Sequence, residues 1–161
     1  MPFSVEKIDD LMHITVFHNV VVLLMMGTMK AAHVEPIGRY MEDTISAHPR
    51  GVIVASLLAA SVPAPGFALR AHIRSLYVRF GDRLLLGMPI VDERGIFAAA
   101  RRAFMRGLLL ILGAGKLVVA SSIEDAARLA GPIAMKADGT PVSERELLAL
   151  FCFCEQHLGE K

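Results

Sequence analysis

VIVASLLAASVPAPGFALR, Val52 to Arg70, changes character twice along its length. Val52 to Leu58 is an apolar run of strand length, bounded by Gly51 on one side and a proline-rich stretch on the other. From Leu69 the apolar residues recur as Leu69, Ile73, Leu76, Tyr77 and Phe80, the stripe of an amphipathic helix that stops at Gly81. A buried strand running through a tight turn into a helix is the repeating unit of a parallel α/β sheet. In such a sheet, ligands and regulatory groups gather where strands end and helices begin. Here that junction, ASVPAPG (Ala60 to Gly66), offers two prolines and a single hydroxyl, on Ser61.

The same alternation extends in both directions. Upstream, FSVEKI and MHITVF read as short strands and VVVLLMMG (Val20 to Gly27) as a buried one. Val34, Ile37, Met41 and Ile45 then mark one helical face, and HPRG (His48 to Gly51) closes it, since proline disfavours helix in the residue before it. Downstream, RLLLGMPI is a strand, and Phe97, Ala100, Phe104, Leu108 and Ile111 stripe a third helix that stops near Gly113. KLVVA is a further short strand. Ser121 and Glu124 then have capping-box spacing for a helix from Ile123 to Leu129. KADGTP is turn-like, and Ser143 with Glu146 repeats the capping box ahead of a last helix. That helix carries Leu147, Leu148, Phe151, Cys154 and Leu158 on one broad face.

Strands alternating with helices imply right-handed crossovers and a mixed, mostly parallel sheet. At 161 residues the chain is long enough for one sizeable core. Its apolar fraction is 54% and its charged fraction 20%, a surplus that a two-faced sheet, an oligomer interface or an apolar cavity would absorb. The apolar run Val20 to Met26 is too short to span a bilayer. MPFSVEKIDD lacks the basic-then-apolar order of a signal peptide, and two cysteines make no disulfide framework, so a cytoplasmic protein is expected.

Charge is unevenly spread. Between Arg70 and Arg106 eight arginines face Asp82, Asp92 and Glu93, a local net of +5, whereas Ser121 onward has a net of −3. Arg70 with Arg74, and Arg102 with Arg106, are helical neighbours; Arg94 and Arg101 complete the set. An acidic protein partner fits this set. Anionic lipid ranks lower, and nucleic acid is not expected without stronger overall basicity or a binding motif.

The order of elements, with VVVLLMMG, RGVIVASL, RLLLGMP and ASSIEDAARLAG in sequence, resembles the STAS domain shared by anti-sigma-factor antagonists and sulfate-transporter tails. The resemblance covers Phe3 to Gly131, and assigns residues 1–131 to a STAS-like domain and 132–161 to an extension with one amphipathic helix. In phosphorylated members the central strand carries an acidic residue and runs into an Asp-Ser-Ser-Gly-like turn, where a kinase modifies a hydroxyl at the helix start. Aligned on Gly66, that turn is Pro63, Ala64, Pro65 and Gly66. Ala64 occupies the phosphorylated position and Ala55 the acidic one. Glycine and a proline in a first helical turn preserve the turn's shape without the switch.

Catalytic patterns are weak. GAGK (Gly113 to Lys116) has Leu110 and Leu117 where a phosphate loop needs glycine and a hydroxyl, and it runs from helix to strand. Cys152, Cys154 and His157 cannot all share a helical face, which leaves too few ligands for a closed zinc site. The histidines show no metal-spaced pair, and Asp92 with Glu93 suits a helix start as well as acid–base work. The expectation is therefore a non-enzymatic bacterial regulatory or scaffolding module without cofactor or metal. Its interaction surface comprises Ser61, Pro63, Ala64, Pro65, Gly66, Arg70, Arg74, Arg102 and Arg106. A homodimer held partly by the last helix is expected from the apolar surplus. The alternative function is binding of a small apolar molecule or lipid.

Overall fold

The computed structural model describes residues 3–59, 62, 67–91, 99–103, 105–107 and 116–159. It is an α/β fold around one mixed sheet. The strands are β1 (Glu6–Lys7), β2 (Met12–Phe17), β3 (Val20–Met25), β4 (Val52–Leu58) and β5 (Leu84–Ile90), arranged in chain order. The first two pairings are antiparallel and the next two parallel. FSVEKI contributes only Glu6 and Lys7 to the sheet.

Beyond β5 the chain continues the sheet through single parallel bridges, Gly87 to Leu117 and Ile90 to Ala120. KLVVA is therefore not the full strand its composition predicts, and Pro89 supplies a reason. Gly87 N–H and Val91 N–H donate to this segment, at Lys116 and Ala120. The position between them on that edge belongs to Pro89, which has no N–H to give. Gly87 in turn admits Leu117, whose side chain would meet a Cβ there at 2.1 Å.

Because the parallel strands are added in one direction, their connecting helices fall on one face. These are α1 (Val34–Ala47), α2 (Phe67–Phe80) and the helical residues 99–103 and 105–107. Ile37, Met41 and Ile45 of α1 and Leu76 and Phe80 of α2 pack on Met12, Ile14, Val21, Leu23, Val52 and Val54. Alternate strand residues point the other way, as the pleat requires. Val20, Val22, Leu24, Ile53, Ala55 and Leu57 meet α3 (Ile123–Ala130) and α4 (Glu144–Gly159). The apolar surplus thus lines two cores, one on each face of the sheet.

This placement corrects the role expected of the last helix. Leu147, Leu150, Phe151 and Cys154 are 0% exposed and lie in the core of their own chain; Leu148 and Leu158 pack at its margin. The apolar face read as an interface between copies is covered internally. The cap of α3 is also shifted by one residue. Ser122, rather than Ser121, is the N-cap and accepts from Asp125 N–H, while Asp125 accepts from Ser121 N–H and Oγ. The second box is as the spacing predicts: Ser143 N–H donates to Glu146 Oε2 at 2.9 Å and Glu146 N–H to Ser143 Oγ at 3.2 Å. The backbone donor at Ser143, with its hydroxyl and Lys136, holds the Glu146 carboxyl at about 2.

The hairpin from β2 to β3 turns on His18 and Asn19. Asn19 is 1% exposed, and its Oδ1 accepts from Met135 N–H at 2.8 Å while its own carbonyl accepts from Ile53 N–H. One side chain therefore ties the hairpin to the segment that leads into α4. Gly51, with φ of +128°, lies against the Arg83 carbonyl where a Cβ would come within 2.4 Å. Among the described residues no helix is long and apolar enough to cross a membrane.

Candidate interaction surface

β4 ends at the C-terminal edge of the parallel strands, between β3 and β5. The chain leaves it by donating Ala59 N–H to the Met25 carbonyl and Val62 N–H to the Ala59 carbonyl, both at 3.0 Å. Val62 is buried in the α1–α2 core. Ser61, Pro63, Ala64, Pro65 and Gly66 lie outside the described residues, as do Asp92, Glu93, Arg94 and Gly113 to Gly115.

Two arginines from the helical residues 99–103 reach this edge. Arg101 Nη2 donates to the Val62 carbonyl at 2.6 Å and to the Ala59 carbonyl at 3.2 Å. Arg102 Nη1 approaches the Val91 carbonyl, just past β5, at 3.4 Å. These are the carbonyls left over where strands stop, and a guanidinium can serve several of them at once. Arg101 and Arg102 are half-buried. Arg70 is half-buried on α2, whereas Arg74 and Arg106 are exposed. The arginine set therefore divides into groups that hold the strand ends and groups that face solvent. Sequence spacing pairs Arg102 with Arg106 but does not reveal this division.

The outer side of α2 has an unusual surface. The helix contains no acidic residue, and Ala71, His72, Arg74, Ser75, Val78 and Arg79 are exposed along it. Val78 is 72% exposed, the most open large apolar side chain described. Arg79 is ion-paired to Glu42 of α1. Beside that pair, Glu42, Ile45, Ser46, Arg79, Phe80 and Arg83 line a cleft of about 340 Å³. The cleft lies at the C-terminal ends of α1 and α2, where helix dipoles oppose an anion.

Several polar groups elsewhere are occupied in structural roles, although the buried Nε2 of His18 has no hydrogen-bond partner among the described residues. His33, 2% exposed, accepts from Lys30 N–H at Nδ1 (3.0 Å), so its Nε2–H donates to Asp9 Oδ2 at 2.6 Å. Asp9 Oδ1 takes the N–H groups of Leu11 and Met12, and the His33 bond holds its carboxyl below the usual range. With both ring nitrogens engaged, His33 has no lone pair for a substrate proton. Lys116 of GAGK is exposed and approaches the Asp82 carbonyl at 3.4 Å. Burial pushes the Cys154 thiol up to about 12 and the Cys152 thiol in the same direction, away from nucleophilic thiolate. His157, grouped with those cysteines by sequence, instead meets His13 at 2.9 Å. His18 lies near His48, with ring centroids 6.5 Å apart. Among the described residues no three His, Cys, Asp or Glu side chains are placed to hold a metal.

Sequence reasoning passed over Asn19 and the Asp9–His33 pair. Asn19 had a readable signal, a two-residue link between two apolar strands. The Asp9–His33 contact spans separate elements and has none. No family model, curated protein or solved structure matches the chain.

Proposed function

We propose that the chain is a non-catalytic, STAS-like interaction module of a bacterial regulatory or scaffolding complex, which binds an acidic segment of a protein partner. The surface runs from the turn after β4 along the outer side of α2, with Arg70, Arg74 and Arg106 supplying charge and Val78 an apolar contact. The observation that carries this reading is the acid-free outer side of α2, beside the Arg101 bonds to Ala59 and Val62 at the end of β4. A sheet with strands in chain order, and with β4 between parallel β3 and β5, is compatible with a STAS-like domain.

The module would work without a phosphorylation switch. Ala64 has no hydroxyl, and Ala55, in the acidic position of the resemblance, is 0% exposed and packed against apolar neighbours. A carboxylate there would be buried in a core without a designated partner, a costly arrangement. Steering by the arginines would raise the association rate and make it depend on salt.

The test is site-specific photocrosslinking in the host from a probe at position 74, with a probe at Arg128 on α3 as the control surface. A partner captured from position 74 and not from position 128, whose identified contact segment is acidic, supports the assignment. Equal capture from both positions, or a contact segment without acidic residues, removes it. Intact-mass analysis of the same protein is expected to show no stoichiometric phosphate.

A further inference from the structure

The two ends of the described chain meet through imidazoles. His13 on β2 projects toward α4, is 3% exposed, and places its Nδ1 2.9 Å from Nε2 of His157 in the last turn of α4. The ring centroids are 5.2 Å apart and the planes inclined by 54°. One turn earlier, Phe153 packs on Phe3, and Phe3 packs edge-on against Phe17. The histidine contact is thus the polar member of a seam joining the N-terminal hairpin to the last helix.

A nitrogen–nitrogen hydrogen bond needs one N–H and one lone pair. Two neutral imidazoles supply both, and so does a pair carrying one proton too many. A doubly protonated pair has N–H groups on both sides and two cations within bonding distance. Histidine is the side chain whose ordinary charge change falls between pH 5 and 8. Among the described residues, β1, β3 and the rest of α4 surround the pair. β1 brings Lys7, the register partner of His13, whose ammonium is held by Asp10 at 2.5 Å. β3 brings apolar Leu24 opposite His13. On α4 the residue one turn before His157 is Cys154, a protonated thiol in the core, and Glu155 is exposed.

We propose that the His13–His157 pair is an acid-sensitive latch, which holds the last turn of α4 on the N-terminal hairpin and releases it when both imidazoles are protonated. The remainder of α4 stays in place, because Leu147, Leu150 and Phe151 are anchored in the core independently of the latch. Release is therefore local and reversible, confined to the stretch from Glu155 to Gly159, beyond the core residue Cys154.

Amide hydrogen exchange on the full chain, corrected for intrinsic pH dependence, tests the latch at pH 7.5 and pH 5.5. Protection of residues 155–159 is expected to fall about tenfold more than that of α3, the size of losing one strong hydrogen bond. In His157→Gln, which bonds without titrating, the excess loss is expected to shrink below about twofold. Equal losses in both proteins, or no excess loss in the parent, overturn the proposal. Should the glutamine variant already be loose at pH 7.5, ring-nitrogen NMR of the parent decides. One protonated and one bare nitrogen at the contact, vanishing over the same pH interval as protection, supports the latch. Two imidazoles that titrate with protection unchanged overturn it.

Discussion

α4 and α2 are similar in length and both cover the sheet, yet they are used differently. α4 places Leu147, Leu150, Phe151 and Cys154 at 0% exposure, so its apolar stripe is absorbed by the fold. α2 rests on the sheet through Leu76 and Phe80, still 7% and 8% exposed, and turns Arg74, Arg79 and Val78 outward. The sequence misleads about only one of them: ERELLALFCFCEQHL looks like a helix with apolar surface to spare, whereas Arg70 and Arg74 already mark FALRAHIRSLYVRF as part of a candidate interaction surface. A stripe tells how much a helix must bury; only the partner surface tells where. The face under α4 is packed with wholly buried side chains, whereas α2 covers a core of its own and presents an acid-free outer side.

The sharpest way to break this contrast is to cut into both helices. Phe151→Ala is expected to cost about 3–5 kcal/mol, because a wholly buried ring leaves a cavity between α4 and the sheet. Leu76→Ala on α2 is expected at about 2–3 kcal/mol, the low end for such truncations, since its site already touches solvent. Urea unfolding measures both. Equal costs would mean that α2 is as firmly built in as α4. Next in size, Asn19→Ala is expected to lose about 2 kcal/mol by leaving Met135 N–H without its acceptor. The variant should also raise amide exchange in residues 133–142, whose bridge from Met135 to Pro141 leans on that side chain.

A smaller effect is expected at the C-terminal edge of the sheet. Arg101→Met removes the donor to Ala59 and Val62 but keeps the aliphatic stem. The group is half-buried, so solvent recovers part of the loss, and about 1 kcal/mol is expected. Amide exchange at Val62 should rise with it. If exchange there stays unchanged, Arg101 is a bystander and the turn is held by other means.

Much of this was readable. Strands 12–17 and 52–58 coincide with MHITVF and VIVASLL, and strand 20–25 covers VVVLLMMG but for its last two residues, because each is a short apolar run bounded by turn residues. The stripe Ile37, Met41, Ile45 is the buried face of α1, as its period requires. What escaped reading depends on distant partners. Pro89 leaves the outer edge of β5 one donor short, which no inspection of KLVVA could reveal. The arginine run reads as one patch, yet Arg101 and Arg102 turn inward to strand-end carbonyls while Arg74 and Arg106 turn out. Spacing fixes which helical face a residue shares, not the depth at which that face meets the sheet.

The hairpin offers a test of the opposite sign. His18 has φ of +54°, a conformation asparagine tolerates better than histidine. Burial, followed by nearby Lys136 and His48, lowers its pKa below the ordinary value of 6.5. A depressed folded pKa means stability that is present above the unfolded value and lost as pH falls through the folded one. His18→Asn is therefore expected to stabilise by up to about 1 kcal/mol and to flatten the decline below pH 6.5. Thermal melts from pH 7.5 to 5 report both. A steeper decline in the variant would reverse the sign argued here.

The smallest effect on stability is the one most informative about function. Reversing Arg102 would disturb a carbonyl contact at the end of β5, so the clean pair to reverse is Arg74 and Arg106, both exposed. Arg74→Glu with Arg106→Glu is expected to shift stability by less than about 0.5 kcal/mol, as surface substitutions usually do. An acidic partner would associate more slowly with it, and the dependence on salt would flatten because the steering field is gone. Val78→Asp should weaken the same complex at every salt concentration, since it removes an apolar contact and adds a like charge. The two readouts separate steering from docking. Association kinetics across an ionic-strength series, with the partner identified by crosslinking, would show the first variant altered mainly in rate of association and the second mainly in rate of dissociation. If both variants bind as the parent does, the outward side of α2 is an ordinary solvated surface, and the contrast with α4 is one of packing alone.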